Sequence, residues 1–290
     1  MKPIFSVAKR AKHKRIAYAE GENEGVLRAA QIVVDENIAR PLLIGRSDVI
    51  AQKIERFGLR LKPGVDVDLI STEHDPRYRD YWQTYHRLAD RKGVTEQMAK
   101  IEMRRRLTLI AAMLVHKGDA DGLICGTWGN TALHLNYIDQ VLGKRPGVKT
   151  YAAMTGLILP GRTVNIVDTH VNYDPTAEQL CEITIMAAEE MLRFGQRPKA
   201  ALLSHSNFGS SNQPSAQKMR EALGLIQAKA PWLEIDGEMH GDTALDEAYR
   251  QQIMPRSTLT GEANLLVMPN IDAANIAYNL LKVAAGNNIA

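Results

Sequence analysis

At 290 residues, 45% hydrophobic and 24% charged, the chain has the make-up of a globular protein with core enough for one large domain or two ordinary ones. A formal net charge of +3 is too small and too dispersed for the basic stripe of a nucleic-acid binder, and no apolar stretch approaches a membrane span or a secretory signal. Two cysteines, Cys125 and Cys181, each inside an apolar pattern, rule out a disulfide framework and read as buried free thiols of a reducing, cytoplasmic compartment.

The basic run at 9–15 reads as a solvated helix face leading into a first strand at 16–19. A helix follows at 22–36, with Val26, Ala30, Val33 and Val34 at helical spacing. Pro41-Leu42-Leu43-Ile44-Gly45 repeats the pattern of strand then glycine, and Ser47 stands where the next helix needs an N-cap. Such alternation predicts a parallel sheet with helices on its faces, because parallel neighbours require a crossover.

From 75 to 117 the pattern is helical and charged, with Arg77, Arg79, Arg87, Arg91, Arg104, Arg105 and Arg106 spread through it. A salt-bridged outer face explains them better than a phosphate site. Gly122-Leu123-Ile124-Cys125-Gly126-Thr127 then restores a buried strand ending in small polar residues. Lys144-Arg145-Pro146-Gly147 is a basic Pro-Gly break, which divides the chain into domains at 1–147 and 148–290. Beyond it, Val164-Asn165-Ile166-Val167-Asp168 reads as a strand and 177–194 as a long helix introduced by Asp174-Pro175.

Three short apolar runs in the second half stop at polar clusters. Ala200-Ala201-Leu202-Leu203 breaks into Ser204-His205-Ser206-Asn207-Phe208-Gly209-Ser210-Ser211, Trp232-Leu233-Glu234-Ile235 into Asp236-Gly237-Glu238, and Leu265-Leu266-Val267-Met268 into Pro269-Asn270. Ligands of open α/β sheets lie beyond the carboxyl ends of the strands, where small polar residues leave N–H groups open to an anion. Four serines, an asparagine and a glycine at 204–211 suit phosphate oxygens, although an ordinary loop before the 215–230 helix explains them equally well.

Asp236-Gly237-Glu238-Met239-His240-Gly241-Asp242 groups three carboxylates and a histidine, as a divalent cation or a general base would require; a turn anchor and a helix cap at Asp242 are the plainer reading. In the last helix Asn275 and Tyr278 share a face, pointing back toward the strand ends, and Asn270 or Asp272 serves as N-cap. His134, His170 and His205 show no metal-ligand spacing with the cysteines and take structural roles. Neither a Walker A loop, nor Gly-x-Gly-x-x-Gly, nor a nucleophile elbow is present.

Taken in order, Ala19-Glu20-Gly21-Glu22, Cys125-Gly126-Thr127, the 203–210 block, the 236–242 block and Val267-Met268-Pro269-Asn270 resemble the phosphate acetyltransferase family over the whole chain. Ser-His-Ser-Asn-Phe-Gly-Ser-Ser, Asp-Gly-Glu-Met-His-Gly-Asp and Arg77-Tyr78-Arg79-Asp80-Tyr81-Trp82 are similar to the C-terminal domain of the large NADP-dependent malic enzymes of bacteria. Active transferases usually show Phe and Lys where His205 and Phe208 stand, and Gln where His240 stands.

The resemblance implies two α/β/α domains with mainly parallel sheets, like those of isocitrate and isopropylmalate dehydrogenases. It also implies a coenzyme A cleft between them and a homodimer or higher oligomer formed mainly by the second domain. In the transferases the coenzyme A thiolate attacks acetyl phosphate. A serine and an arginine of that chemistry belong to a segment expected after Ala290. The family's Leu-Arg-Pro is matched by Leu135-Asn136-Tyr137, and a second basic position falls nearest Ala89.

The expectation is therefore a domain without catalytic residues or metal that binds acetyl-CoA or coenzyme A. Its partner is the malic enzyme catalytic module, to which NADP and Mg2+ or Mn2+ belong, and neither nucleic acid nor membrane is a partner. The ligand residues implied are Gly126, Thr127, Thr131, Ser204, Ser206, Asn207, Gly209, Ser210, Asp236, Glu238, Asp242, Asn270, Asn275 and Tyr278. Of these, Ser204, Ser206, Asn207, Gly209 and Ser210 face the phosphate or acetyl end, while Asn275 and Tyr278 hold the coenzyme. An active transferase with Arg87 in place of the missing cations is the alternative; a purely structural module is another.

Overall fold

The computed structural model describes Ser6, residues 8–10 and residues 14–286. Residues 11–13 of the basic run at 9–15 lie outside the described residues. Two compact units divide the chain, Met1–Gly143 and Lys144–Ala290.

The first unit is built on four parallel strands: β1 (Arg15–Tyr18), β2 (Arg40–Gly45), β3 (Asp68–Ser71) and β4 (Gly122–Ile124), in the order β3-β2-β1-β4. Its helices are α1 (Glu24–Asp35), α2 (Ser47–Arg56), α3 (Tyr78–Ala89), α4 (Glu96–Arg105), α5 (Leu107–His116) and α6 (Thr131–Val141). Strand residues alternate between two cores. Tyr18 and Leu43 pack with Leu27, Ile50 and Ile54 of α1 and α2, whereas Ala17, Leu42 and Ile44 pack with Tyr85, Leu109 and Met113 of α3 and α5. Because β1 is followed on one side by β2 and on the other by β4, the strand order reverses between β1 and β4. That reversal is where this kind of sheet opens a crevice.

The seven-arginine segment is largely an outer face, as expected. Arg77 grips Asp75 at 2.7 Å and reaches Asp119 at 3.4 Å, while the Arg104 guanidinium stacks on Tyr78 at 4.2 Å. Ser47 does not cap α2. Arg46 occupies the N-cap and Ser47 is the first helical residue, because the Arg46 N–H and guanidinium are both held by Glu22.

In the second unit β5 (Met154–Leu159) and β6 (Arg162–Val167) form an antiparallel pair at the sheet edge. β7 (Lys199–Leu203), β8 (Glu234–Met239) and β9 (Leu265–Val267) complete the order β5-β6-β9-β7-β8, with every pairing after the first parallel. The helices are α7 (Ala177–Arg193), α8 (Pro214–Lys229), α9 (Gly241–Leu245), α10 (Glu247–Ile253) and α11 (Ile271–Ala284). Again successive residues feed opposite layers. Ala200 and Leu202 pack with α7 and α8, and Ala201 and Leu203 pack with Ala244 of α9 and Ala274 of α11. Thr176 and Gln179 form a reciprocal capping box at the start of α7.

Two expectations need correction here. Asp236, Gly237 and Glu238 lie inside β8, not beyond it; Asp236 and Gly237 pair with Ala201 and Leu202 of β7, and the register shifts at Glu238. Gly237 is required there, since its φ is +146° and a Cβ would sit 2.7 Å from the Leu202 carbonyl oxygen. Asp242 is not the cap of α9, whose N-cap is His240; its carboxylate turns to the N–H and hydroxyl of Thr243. Among the described residues no helix is long and apolar enough to cross a membrane.

Candidate functional site

Glu238 organises the polar loop that follows β7. It is fully buried, and its Oε1 accepts the Ser206 hydroxyl at 2.6 Å, the Gly209 N–H at 2.9 Å and the Arg220 guanidinium at 2.8 Å. Burial opposes ionisation, but the hydroxyl, the N–H and the guanidinium together outweigh it and hold the carboxyl below the ordinary range. Arg220, from α8, also donates to the Ser211 carbonyl, so one side chain ties helix, strand and loop. The second carboxylate oxygen, Oε2, has no protein partner.

The rest of the loop turns inward. Ser206 is fully buried, and its Oγ accepts the Ser211 N–H and the Ser210 hydroxyl while donating to Glu238. The N–H groups of Ser204, Asn207, Phe208 and Ser210 go to Met239 O, Ser210 Oγ, Glu238 O and Asn207 O. His240 donates its N–H to Asn207 Oδ1 at 2.8 Å, and its Nε2 lies 2.9 Å from the His205 carbonyl. The backbone donors of Ser204 and of residues 206–211 are therefore taken up, by the buried carboxylate, by the loop's own hydroxyls and by the carbonyls of Met239, Glu238 and Asn207.

Asp236 is likewise structural: its Oδ1 takes the Gly237 N–H, and its Oδ2 takes the Ser257 hydroxyl and the Thr258 N–H. Among the described residues no group of three or more His, Cys, Asp or Glu is placed to hold a metal ion. Asn270 is the N-cap of α11, accepting the Ala273 N–H at 2.9 Å. Asn275 and Tyr278 do share a face toward the end of β6, where Asn275 donates to the Thr169 carbonyl at 3.4 Å and Tyr278 meets His170 edge to face at 5.9 Å. Asp168, which the sequence offered only as a strand end, is buried there and accepts the N–H groups of Ala153, His170, Val171 and Asn172.

Gly126, Thr127 and Thr131 lie in the first unit, on the loop after β4 and at the start of α6, and none of them lines the hollow where the sheet order reverses. That hollow is lined by Glu20, Arg106, Thr108, Trp128, His134 and Tyr137 among others. Glu20 Oε1 accepts the Gly126 N–H at 3.1 Å and fixes the exit of β4. His134 Nε2 lies 2.9 Å from the Trp128 carbonyl and Nδ1 lies 2.7 Å from Thr108 Oγ1, which clamps the loop to α5. A carbonyl only accepts, so Nε2 carries a proton. Tyr137 donates to Glu102 at 3.0 Å, and burial, with the Glu102 carboxylate, pushes its hydroxyl up to about 12. Trp128 itself is 62% exposed.

Sequence reasoning counted Arg106 as one of seven arginines on an outer face, gave Trp128 no role of its own and passed over Arg220. Trp128 carried a signal, an aromatic between two glycines beyond a strand. Arg220 carried none, since nothing in a helical pattern marks which arginine meets a carboxylate eighteen residues on. The two cations that the transferases use are not matched: Ala89 is fully buried in the core, and Asn136, exposed on α6, accepts the Gln140 side-chain amide through Oδ1.

The phosphate acetyl/butaryl transferase profile matches residues 1–289. The chain is 50% identical over 289 residues to the C-terminal region of an NADP-dependent malic enzyme from Escherichia coli (strain K12), covering all of this chain and 38% of that relative. The chain thus spans less than two fifths of the length of the malic enzymes it matches. It is 35% identical over 295 residues to a phosphate acetyltransferase from Paracoccus denitrificans, covering 99% of this chain and 88% of that one. A crystal structure of a phosphotransacetylase from Streptococcus pyogenes superposes with a TM-score of 0.86 at 27% identity, over 98% of this chain and 86% of that one. By the extent of these matches the chain belongs to the phosphate acetyl/butaryl transferase family.

Proposed function

We propose that this chain is the acetyl-CoA-sensing and assembly module of an NADP-dependent malic enzyme, whose catalytic module converts malate to pyruvate by oxidative decarboxylation. The reading rests on one observation: a family fold in which the positions matched to the transferases' cations hold a neutral amide, Asn136, and a fully buried methyl, Ala89. Half-identity to malic enzymes supports it. Transfer of an acyl phosphate develops charge that preorganised cations must stabilise, and loss of one such donor costs about two to three orders of magnitude in rate. Binding of the thioester needs less. In this proposal the second unit pairs with its copy in a homodimer or larger assembly. The protein works in the cytoplasm; NADP and Mg2+ or Mn2+ serve only the catalytic module.

Regulation then requires acetyl-CoA to bind two states of the assembly unequally. Calorimetry should show saturable binding of acetyl-CoA to this chain, and malate oxidation by the full-length enzyme should respond to the same concentration range. Absence of heat and of any thermal shift at millimolar acetyl-CoA would sink the proposal. The alternative, an active phosphate acetyltransferase, is favoured by the 35% identity to a relative of that name matched over most of its length. Thiol release from acetyl-CoA and phosphate decides it, and a rate equal to that of buffer excludes it.

A further inference from the structure

The segment Arg77-Tyr78-Arg79-Asp80-Tyr81-Trp82 is one of three by which the sequence resembles malic enzymes, and neither polar loop uses it. It leads into α3, where Tyr78, Arg79, Trp82 and Gln83 share one face at helical spacing. With Glu96 and Lys100 of α4 they line an open groove of the first unit. Two rings stand in it, each beside a cation from α4. The Lys100 ammonium lies 4.5 Å from the centre of the Trp82 ring, and the Arg104 guanidinium 4.2 Å from that of Tyr78.

The groove is short of carboxylates. Glu96 pairs with Lys100 and Asp80 with Lys117, which leaves Arg79 exposed and without an ion pair among the described residues. Arg104 has the Glu73 carbonyl at 3.3 Å as its acceptor and no carboxylate among the described residues. Other guanidinium groups of the unit are neutralised: Arg28, Arg46 and Arg60 hold Glu24, Glu22 and Asp35 within 2.8 Å. The bed of the groove is also firm. Tyr78 and Trp82 pack against the core beneath α3, and the Tyr78 hydroxyl donates to the Lys100 carbonyl at 2.8 Å, which ties the two helices together. Firmly seated rings among cations that lack acids have the composition of the centre of a protein interface, where Trp, Tyr and Arg carry most of the binding energy.

We infer that this groove seats the catalytic module of the parent malic enzyme, which lays a carboxylate-bearing segment against Arg79 and Arg104 and an apolar side chain over Trp82. The inference rests on the reading above that the chain is a malic enzyme module, and it goes beyond that reading by naming the docking face. Charge and position both favour this occupant. A second copy would set the same cations against one another across a two-fold contact, whereas an acidic partner neutralises them. In the malic enzyme of Escherichia coli the matched region is C-terminal, so the catalytic module of that relative precedes it. The start of β1 lies beside α3. Asp121 takes the Arg15 N–H at 2.8 Å and the Lys14 ammonium at 3.0 Å, while Asp119, two residues earlier, takes the Arg77 guanidinium at 3.4 Å and the Tyr81 hydroxyl. A module joined ahead of β1 is therefore tethered close to the α3–α4 face, which raises its effective concentration there.

The test compares amide hydrogen exchange in this chain alone, in the full-length parent enzyme and in full-length Arg79→Glu. The amides of 78–83 and 96–104 should exchange about tenfold more slowly in the full-length enzyme than in the chain alone. Arg79→Glu sets a carboxylate against the partner's carboxylate, so it should return those amides to the rates of the chain alone. The same substitution should leave malate oxidation, and the melting temperature of the chain alone, unchanged. Equal rates in the chain and the full-length enzyme overturn the inference and leave the proposed function standing. So does protection that survives Arg79→Glu, or protection of the chain alone that grows with its concentration, which makes the face a contact between copies. A parent that does not oxidise malate sinks the reading on which the inference rests. Protection in an enzyme indifferent to acetyl-CoA keeps the docking face and removes only the sensing role.

Discussion

The two units place polar residues at the ends of their sheets in opposite ways. In the second, Ser204, Ser206, Asn207, Gly209 and Ser210 are dense in the sequence yet consume one another's donors around Glu238. In the first, Arg106 and Trp128 line a hollow where α5 starts without a side-chain cap bond, and the Arg106 guanidinium meets the Tyr137 hydroxyl. A cluster of hydroxyls is thus not by itself a receptor. What marks one is donors without acceptors, and those appear only when each hydrogen bond is assigned.

The sharpest way to break the contrast is to remove a self-contained device from the second unit. Arg250 is fully buried, and its acceptors are carbonyls: Nη1 donates to those of Thr243 and Ala244 at the end of α9, and Nη2 donates to those of Leu259 and Gly261. Those carbonyls carry the negative end of a helix and of a tight loop, so they stand in for a counter-ion. Arg250→Met keeps the volume but strands four acceptors. A loss of about 3 kcal/mol is expected. That corresponds to a melting temperature roughly 10 °C lower for a unit of this size, readable by calorimetry.

Glu238→Gln comes next, at about 2 kcal/mol, because Arg220 loses its charged partner while Ser206 keeps an acceptor. The pH dependence follows from the depressed carboxyl. A group whose folded pKa lies below its unfolded value, here near 4.5, contributes in full above that value and less as pH falls through the folded one. The native chain should therefore lose stability in the second unit below about pH 4.5, and Glu238→Gln should flatten that part of the profile. Equal slopes for the two proteins would show that the carboxylate is not held as the geometry implies.

How far the sequence disclosed this depends on where the partners come from. β1, β2, β7 and β9 were legible because a parallel strand buried on both faces is a short unbroken apolar run, and their neighbours supply only backbone. β8 was cut short at Ile235 because Asp236 and Glu238 look like turn residues. They remain in the strand because Ser257, Thr258, Ser206 and Arg220, all eighteen to thirty-two residues away, satisfy them. The polar loop after β7 was visible, but its self-saturation was not, since it depends on Glu238 arriving from β8. Arg106 was read as one arginine among seven. Its distinct position arises because α4 ends at Arg105 and α5 begins at Leu107, and no glycine or proline marks that break.

The smallest effect should come from the first unit, where the clamp under Trp128 is one hydrogen bond deep. Thr108→Val is nearly isosteric and leaves His134 Nδ1 without the hydroxyl 2.7 Å away, while His134 Nε2 keeps the Trp128 carbonyl. The expected loss is about 1 kcal/mol. Because Thr108 is buried and the tryptophan is not, the change should be seen locally: faster depolarisation of Trp128 emission with the global melting temperature nearly unchanged. An unaltered indole signal together with a large global loss would mean that Thr108 supports the α5 core and not the loop. In that case the hold of His134 on the Trp128 carbonyl does not depend on the Thr108 hydroxyl.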